Sequence, residues 1–297
     1  AARRALEIAA AGGHHLLLNG PPGAGKTLMA RCLPGLLPDL TPDEEREVAL
    51  IAAAAGDPLD GGHRAPFRSP HHSASTAALV GGGIGVPRPG EVTRAHRGVL
   101  FLDELGEFAP AALDALRQPI EDGVVTVARS AETIRFPARI QLVAATNPCP
   151  CGYDGDRRRP CSCTDRAKDR YRTRLSGPLL DRFDMRLVVP RLGPRDLADS
   201  DAVESTTEVK ARVVSARRIQ VNRGRLNREL TGSDLDAVPM TTEATSTLRA
   251  AADADTLTGR GWDRVRRVAR TIADLAHVDM VERDHVEEAI SFRMGFA

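Results

Sequence analysis

Lysine is nearly absent from this chain. Only Lys26, Lys168 and Lys210 stand among 41 basic residues, and the rest are arginine. Aromatics make up 3%, too few for base stacking to be a strong theme. No apolar run reaches the roughly 18 residues that span a bilayer, and no signal-peptide pattern opens the chain. A membrane protein is therefore not expected, and the expected compartment is the cytosol. Neither sign of charge is in excess: 41 basic and 40 acidic residues leave +1. That excludes a global attraction to nucleic acid or membrane, so any DNA contact needs a local patch. At 297 residues the chain suits one large domain or two moderate ones. Residue 1 is Ala and the first strand arrives by Leu16, so the expectation is a piece of a longer protein.

The strongest motif that is present uses one of the rare lysines. Gly20-Pro21-Pro22-Gly23-Ala24-Gly25-Lys26-Thr27 follows the apolar run Leu16-Leu17-Leu18 and leads into a helical stretch from Leu28 to Leu33. Strand, glycine loop and helix in that order make a P-loop. Its backbone N–H groups curl around phosphates, the Lys26 ammonium reaches the β- and γ-phosphates, and the Thr27 hydroxyl holds Mg²⁺. The loop from Gly20 to Leu28 is the expected ATP-binding segment. An arginine-dominated chain still places a compact ammonium at the position that needs one.

Strand and helix patterns alternate to about Pro190, and only helical patterns follow. Ala5–Ala11 reads as a helix ended by Gly12-Gly13, and Pro42–Ala55 as another capped by Thr41. Val99–Leu102 is an apolar run of the kind buried on both faces of a parallel sheet. A helix is expected from Pro110 to Asp122, where Gly123 stops it. Hairpin arms follow at Val124–Ala128 and Glu132–Phe136, then a core strand at Ile140–Ala145. Helices at Glu204–Val221, Thr242–Ala252, Gly261–His277 and Asp284–Phe292 complete the chain. The predicted fold is α/β, a P-loop core with a parallel sheet between helices over 1–192, followed by an all-helical lid domain over 193–297.

Three further positions point to phosphate chemistry. Asp103 and Glu104 end an apolar strand, which puts Asp103 near Mg²⁺ and Glu104 where it can polarise an attacking water. A buried strand ending in a polar turn is the bland alternative, and the P-loop upstream weighs against it. Asn147 closes the strand Ile140–Ala145, where its amide can orient the lytic water or touch the γ-phosphate; an ordinary Asn-Pro turn is the alternative. Arg182, in Leu179-Leu180-Asp181-Arg182-Phe183-Asp184, is the candidate arginine finger. A finger serving a neighbouring subunit implies a ring or an open helical oligomer. The alternative is a surface salt bridge to Asp181 or Asp184.

Four of the five cysteines fall within fifteen residues, as Cys149-Pro150-Cys151 and Cys161-Ser162-Cys163. Four thiolates suit tetrahedral Zn²⁺, although C-x-C is a tighter bite than the usual C-x₂-C. Metal-free reduced thiols and redox chemistry are the alternatives.

On these residues the chain resembles the AAA+ module of the magnesium-chelatase-like family. The resemblance rests on Gly20–Thr27, Phe67–Ser75, Gly98–Glu104, Ala145–Gly152, Ser176–Asp184 and Ala269–Ala276, and spans nearly the whole chain. The P-loop and the strand before Asp103 fit any P-loop ATPase; the pair His71-His72, the cysteine-rich turn and the last run are more specific. It implies a hexameric, ATP-driven motor on single-stranded or branched DNA that promotes branch migration in the uptake and recombination of transforming DNA. It also implies an amino-terminal Lon-protease-like domain that this sequence lacks. Arg260, in Thr258-Gly259-Arg260, resembles a sensor arginine that meets the γ-phosphate, with Arg267 in reserve. The bland reading of that helix, with Arg264, Arg266, Arg267 and Arg270, is a solvated face.

Within the resemblance, the glycine-rich segment 74–96 matches an insertion in the family's second helix. The hairpin tip Arg129-Ser130-Ala131 matches a pre-sensor hairpin, with Arg129 facing phosphate. A basic patch from Arg157 to Arg174, holding eight basic and two acidic residues with Tyr171 inside it, is the third DNA candidate. Solvated loops are the alternative. Two functions of different class remain besides the DNA motor: the ATPase subunit of a magnesium chelatase, and an ATPase that remodels protein.

Overall fold

The continuous apolar runs become central strands. Val99–Leu102 and Gln141–Thr146 are buried at every residue, which only a sheet covered on both faces permits. The structure, a computed structural model, describes residues 1–58, 62–82, 87–128, 133–156, 158–175, 177–191, 193, 204–254 and 257–293. Its strands are β1 (Leu16–Asn19), β2 (Phe67–Arg68), β3 (Gly81–Gly82), β4 (Arg88–Pro89), β5 (Val99–Leu102), β6 (Val124–Ala128), β7 (Thr133–Pro137), β8 (Gln141–Thr146) and β9 (Met185–Val188). Five form the main sheet in the order β2-β5-β8-β1-β9. β2 with β5, and β5 with β8, pair in parallel.

Register then decides where chemistry can occur. Val99 lies opposite Gln141 and Leu102 opposite Ala144, so Asp103 leaves β5 at the edge where Thr146 and Asn147 leave β8. The Gly20 N–H donates to the Thr146 carbonyl at 3.2 Å, which brings the end of β1 to the same edge. Carboxyl ends of parallel strands are where such sheets bind ligands.

Two compact units divide the chain: Leu18–Pro34 with Pro38–Arg182, and Ala1–Leu17 with Gly35–Leu37 and Phe183–Ala297. The first carries the P-loop, β2 to β8 and the cysteines. The second carries helices Ala2–Gly12, Thr206–Asn222, Thr242–Asp253, Gly259–Leu275 and Arg283–Ser291. β9 and the first helix thus belong with the helical elements, where the sequence reading drew its line at 192. No helix among the described residues is long and apolar enough to cross a membrane.

Local signals act as read in most places. Thr41 and Glu44 form a reciprocal capping box on Pro42–Ala55, a device worth about 1 kcal/mol. The helix expected over 110–122 needs correction: it is two helices, Pro110–Ala115 and Arg117–Asp122. Pro119 has no N–H to donate and its ring crowds the carbonyl four residues back, so the hydrogen-bond ladder is interrupted at Leu116 while its backbone stays helical at φ −77° and ψ −16°.

The helix Gly259–Leu275 corrects the solvated-face reading of its arginines. Arg264 is 9% exposed and Arg270 is 2% exposed. Arg270 donates to Asp274 Oδ1 at 2.9 and 3.1 Å and to the Val278 carbonyl at 2.6 Å. Asn227 Nδ2 reaches Asp274 Oδ2 at 2.7 Å and Thr271 Oγ1 at 3.0 Å, and His14 Nε2 lies 2.7 Å from the same hydroxyl. The run Ala269–Ala276 is therefore chiefly core: a buried polar network whose members satisfy one another.

Candidate active site

The P-loop residues fold as the chemistry of phosphate requires. Gly23 and Gly25 take positive φ, a conformation open to glycine without strain, and Lys26 begins an 11-residue helix. A cleft of about 400 Å³ is lined by residues 22–28, by Asp103 and Glu104, and by residues 145–147. Lys26, Thr27, Asp103, Glu104 and Asn147 therefore share one cavity, while Arg182, in the same unit, is not among its lining residues.

Contacts inside the cleft assign roles. Lys26 Nζ donates to the Gly20 carbonyl at 2.5 Å, the Pro21 carbonyl at 3.0 Å and Asn147 Oδ1 at 3.1 Å. Burial pushes the Lys26 ammonium down, while Asp103 and Glu104 pull it back up. Thr27 Oγ1 donates to Asp103 Oδ2 at 2.8 Å. That hydroxyl and carboxylate are hard oxygen donors side by side, the set a Mg²⁺ ion takes when it also binds phosphate and water. The Glu104 N–H donates to Asp103 Oδ1 at 3.0 Å, tying the two acidic residues together. Glu104 itself sits at φ 53° and ψ 49°, the left-handed region that ordinary residues seldom adopt and that clusters at functional turns.

One partner escaped the sequence reading. His72 Nδ1 lies 3.0 Å from Glu104 Oε2, and the His72 ring lies 4.1 Å from that of His71, tilted by 36°, and edge-on to Phe108 at 6.5 Å. The visible signal was the histidine pair itself, which resemblance alone had singled out.

The remaining candidates lie elsewhere. Arg182 is 7% exposed, ion-paired with Glu121 and bonded to the Pro178 carbonyl at 3.2 Å. Its acidic partner is Glu121 rather than Asp181 or Asp184. Asp184 instead accepts from the His15 N–H at 2.9 Å and lies 3.5 Å from Arg264 Nε. Burial pushes its carboxyl up, but His14, His15 and Arg264 overcome this and hold it well below the usual range. Arg260 is exposed on the first turn of Gly259–Leu275, in the helical unit. Arg267 donates to the Leu230 carbonyl at 2.8 Å.

Among the DNA candidates, the segment 74–96 contains a short helix, Thr76–Val80, and the antiparallel pair β3–β4. Residues 83–86, the tip 129–132 with Arg129, and Arg157 lie outside the described residues. In the basic patch, Lys168 pairs with Asp154 at 2.7 Å. Tyr171 is 5% exposed, with its hydroxyl 3.3 Å from Thr146 Oγ1. It is a core residue and offers no face to a base.

The four cysteines converge. Their Sγ atoms all lie within 4.8 Å of one another, with Cys149–Cys151 at 3.4 Å, Cys151–Cys161 at 3.6 Å and Cys149–Cys161 at 3.7 Å. Backbone N–H groups of Tyr153 and Ser162 pull the Cys151 thiol down to about 5. For Cys161 the Cys163 N–H favours thiolate, but lost hydration and the adjacent sulfurs outweigh it, and the group is pushed up to about 12.

A P-loop helix, a strand ending in two carboxylates, a polar strand tip beside them and a helical lid define the class: a AAA+ ATPase. Comparison with known families agrees. The family "Magnesium chelatase, subunit ChlI" matches residues 1–197, and "Magnesium chelatase, subunit ChlI C-terminal" matches residues 203–293. The chain belongs to that family, as a ComM/YifB-like member. It is 47% identical over 298 residues to the uncharacterized protein YifB of Escherichia coli and 44% identical over 298 residues to competence protein ComM of Haemophilus influenzae. Each match covers 98% of this chain and 58% of the relative. The magnesium-chelatase 38 kDa subunit of Cereibacter sphaeroides is 28% identical over 160 residues, 45% of each chain. Membership implies ATP and Mg²⁺ as the nucleotide and its metal.

Proposed function

We propose that this chain is the motor module of a cytosolic, hexameric AAA+ ATPase that moves single-stranded or branched DNA, promoting branch migration during recombination of transforming DNA. The observation that carries the ATPase half is the meeting of Lys26, Thr27, Asp103, Glu104 and Asn147 in one cleft. The DNA half is supported by 44% identity to a competence protein over 98% of the chain.

ATP lies with its phosphates over residues 20–27. Lys26 exchanges the Gly20 and Pro21 carbonyls for phosphate oxygens; Thr27 and Asp103 are the residues that would hold Mg²⁺, which when bound would supply positive charge against that of the phosphates. Glu104 accepts a proton from the attacking water, and Asn147 orients that water or the γ-phosphate. In the ring, Arg182 leaves Glu121 for a neighbour's γ-phosphate, and Arg260 is the sensor arginine of the helical unit. A structural Zn²⁺ on Cys149, Cys151, Cys161 and Cys163 belongs to the same reading.

The second reading, the ATPase subunit of a metal-insertion complex, has the family description in its favour. Against it stands the match to the chelatase subunit itself, at 28% identity over 45% of this chain. ATP turnover of the intact protein, measured with and without forked DNA, separates the two. The motor requires that DNA raise the rate; a rate and oligomeric state indifferent to DNA would sink it.

A further inference from the structure

The cysteine cluster sits against the nucleotide loop, and the contact is backbone on ring. Gly152, one residue beyond Cys151, has φ 85°, and a Cβ placed there would lie 2.6 Å from Pro22 Cδ and 2.9 Å from Pro22 Cγ. Nothing larger than glycine fits between the cysteine turn and the P-loop. Gly152 is held in that place by its own N–H, which donates to the Cys149 carbonyl at 2.9 Å.

The other end of the cluster reaches the site by a second route. Thr164, the residue after Cys163, caps the helix Asp165–Arg174 through the Ala167 N–H. That helix carries Tyr171, whose hydroxyl lies 3.3 Å from Thr146 Oγ1, next to the Asn147 that receives Lys26 Nζ. The Tyr171 ring also fills the space beside Gly106, where a Cβ would come within 2.7 Å of it. Gly106 is two residues beyond Glu104. Pro22, Asn147 and the turn after Glu104 are thus all braced by the one stretch 149–174.

The sulfur positions fit one ion. Zinc–sulfur bonds of about 2.3 Å in a tetrahedron require sulfurs about 3.8 Å apart; those of Cys149, Cys151 and Cys161 are 3.4, 3.6 and 3.7 Å apart, and Cys163 Sγ lies within 4.8 Å of each. The Cys151 N–H donates to Cys163 Sγ at 3.3 Å and the Cys163 N–H to Cys161 Sγ at 3.4 Å, the outer hydrogen bonds that orient thiolate ligands. Soft thiolates select Zn²⁺ over Mg²⁺, so this site and the Thr27–Asp103 site do not compete for metal.

We propose that one Zn²⁺ on Cys149, Cys151, Cys161 and Cys163 holds the Gly152 turn against Pro22, so that occupancy of the thiolate site sets how tightly the P-loop binds ATP. This rests on reading the cysteines as a zinc site, and it assigns that zinc a regulatory part in nucleotide binding.

The test uses the full chain. Metal analysis of the purified protein is expected to show one zinc per chain, lost in a Cys149→Ser, Cys161→Ser double variant; absence of zinc from the wild type overturns the metal reading. Affinity for a fluorescent ATP analogue is then measured on zinc-loaded protein, after chelation, and after zinc is restored. Chelation should weaken binding by roughly tenfold and zinc should restore it, with an unchanged far-ultraviolet circular dichroism spectrum showing that the stripped protein remains folded. Zinc that comes and goes without changing ATP affinity overturns the coupling and leaves the metal site standing. Gly152→Val tests the contact: it should keep its zinc and lose ATP affinity. Wild-type affinity in that variant overturns the route through Pro22.

Discussion

His72 Nδ1 stands 3.0 Å from Glu104 Oε2, so the carboxylate proposed above as the acceptor of a proton from water is already shared with an imidazole. An oxygen already engaged by the His72 ring has one lone pair fewer to offer an attacking water. His72→Ala should therefore raise ATP turnover in the absence of DNA, by about threefold, and narrow the difference that DNA makes. His72→Gln, which keeps a donor, should fall between the two. A fall in DNA-free turnover for His72→Ala would mean that the pair positions Glu104 instead of restraining it.

Lys26 divides binding from chemistry less cleanly than Glu104 does. Its ammonium holds three oxygens within 3.1 Å, so Lys26→Ala loses both a phosphate ligand and an internal tie of the loop. Calorimetry should show ATP binding weakened beyond detection together with loss of turnover. Retained micromolar binding in that variant would show that the loop amides suffice.

Much of this was legible in the sequence, and the exceptions share a cause. The P-loop, β5 with its acidic end and β8 with Asn147 each rest on neighbouring residues, so pattern and spacing were enough. What brings Asn147 to Lys26 is the parallel register of β5 with β8 and the bond from Gly20 to Thr146, pairings between residues more than forty apart. Arg182 shows the limit: an exposed-looking motif hides a guanidinium buried against Glu121. Tyr171 shows the same limit, since the Thr146 it meets lies 25 residues back; Arg270 pairs locally with Asp274 and is hidden only by the packing of its helix. His72 was visible as half of a histidine pair, but only the fold gives it Glu104.

Asp274 receives Arg270, Arg223 and Asn227 in a place with no solvent exposure. Removing the carboxylate leaves the Arg270 guanidinium buried without its counter-charge, at a cost of about 3–5 kcal/mol. Asp274→Ala should accordingly lower the urea midpoint of the helical unit far more than Asp236→Ala, whose carboxylate is 77% exposed beside Arg266. Equal midpoints would remove the network from the stability of this unit.

Burial, helped by Arg228, pushes His15 down to about 3 from an ordinary 6.5, and burial lowers His14 in the same sense. Between those values the unfolded chain binds protons that the folded chain refuses, so stability is complete above pH 6.5 and falls as pH drops toward 3. From pH 7 to pH 5, His15 alone accounts for about 2 kcal/mol. Denaturant titrations at the two pH values should show that loss, and His15→Gln should flatten it. An unchanged slope would assign the acid sensitivity to other groups.

Glu104→Gln puts the central claim to its most direct trial, since it keeps the shape of the side chain and removes the carboxylate proposed as the base. ATP binding and ATP hydrolysis measured on the same preparation should separate: binding at wild-type affinity, hydrolysis lower by about a hundredfold or more. Hydrolysis at the wild-type rate would show that the cleft between Lys26 and Glu104 is not where the reaction occurs.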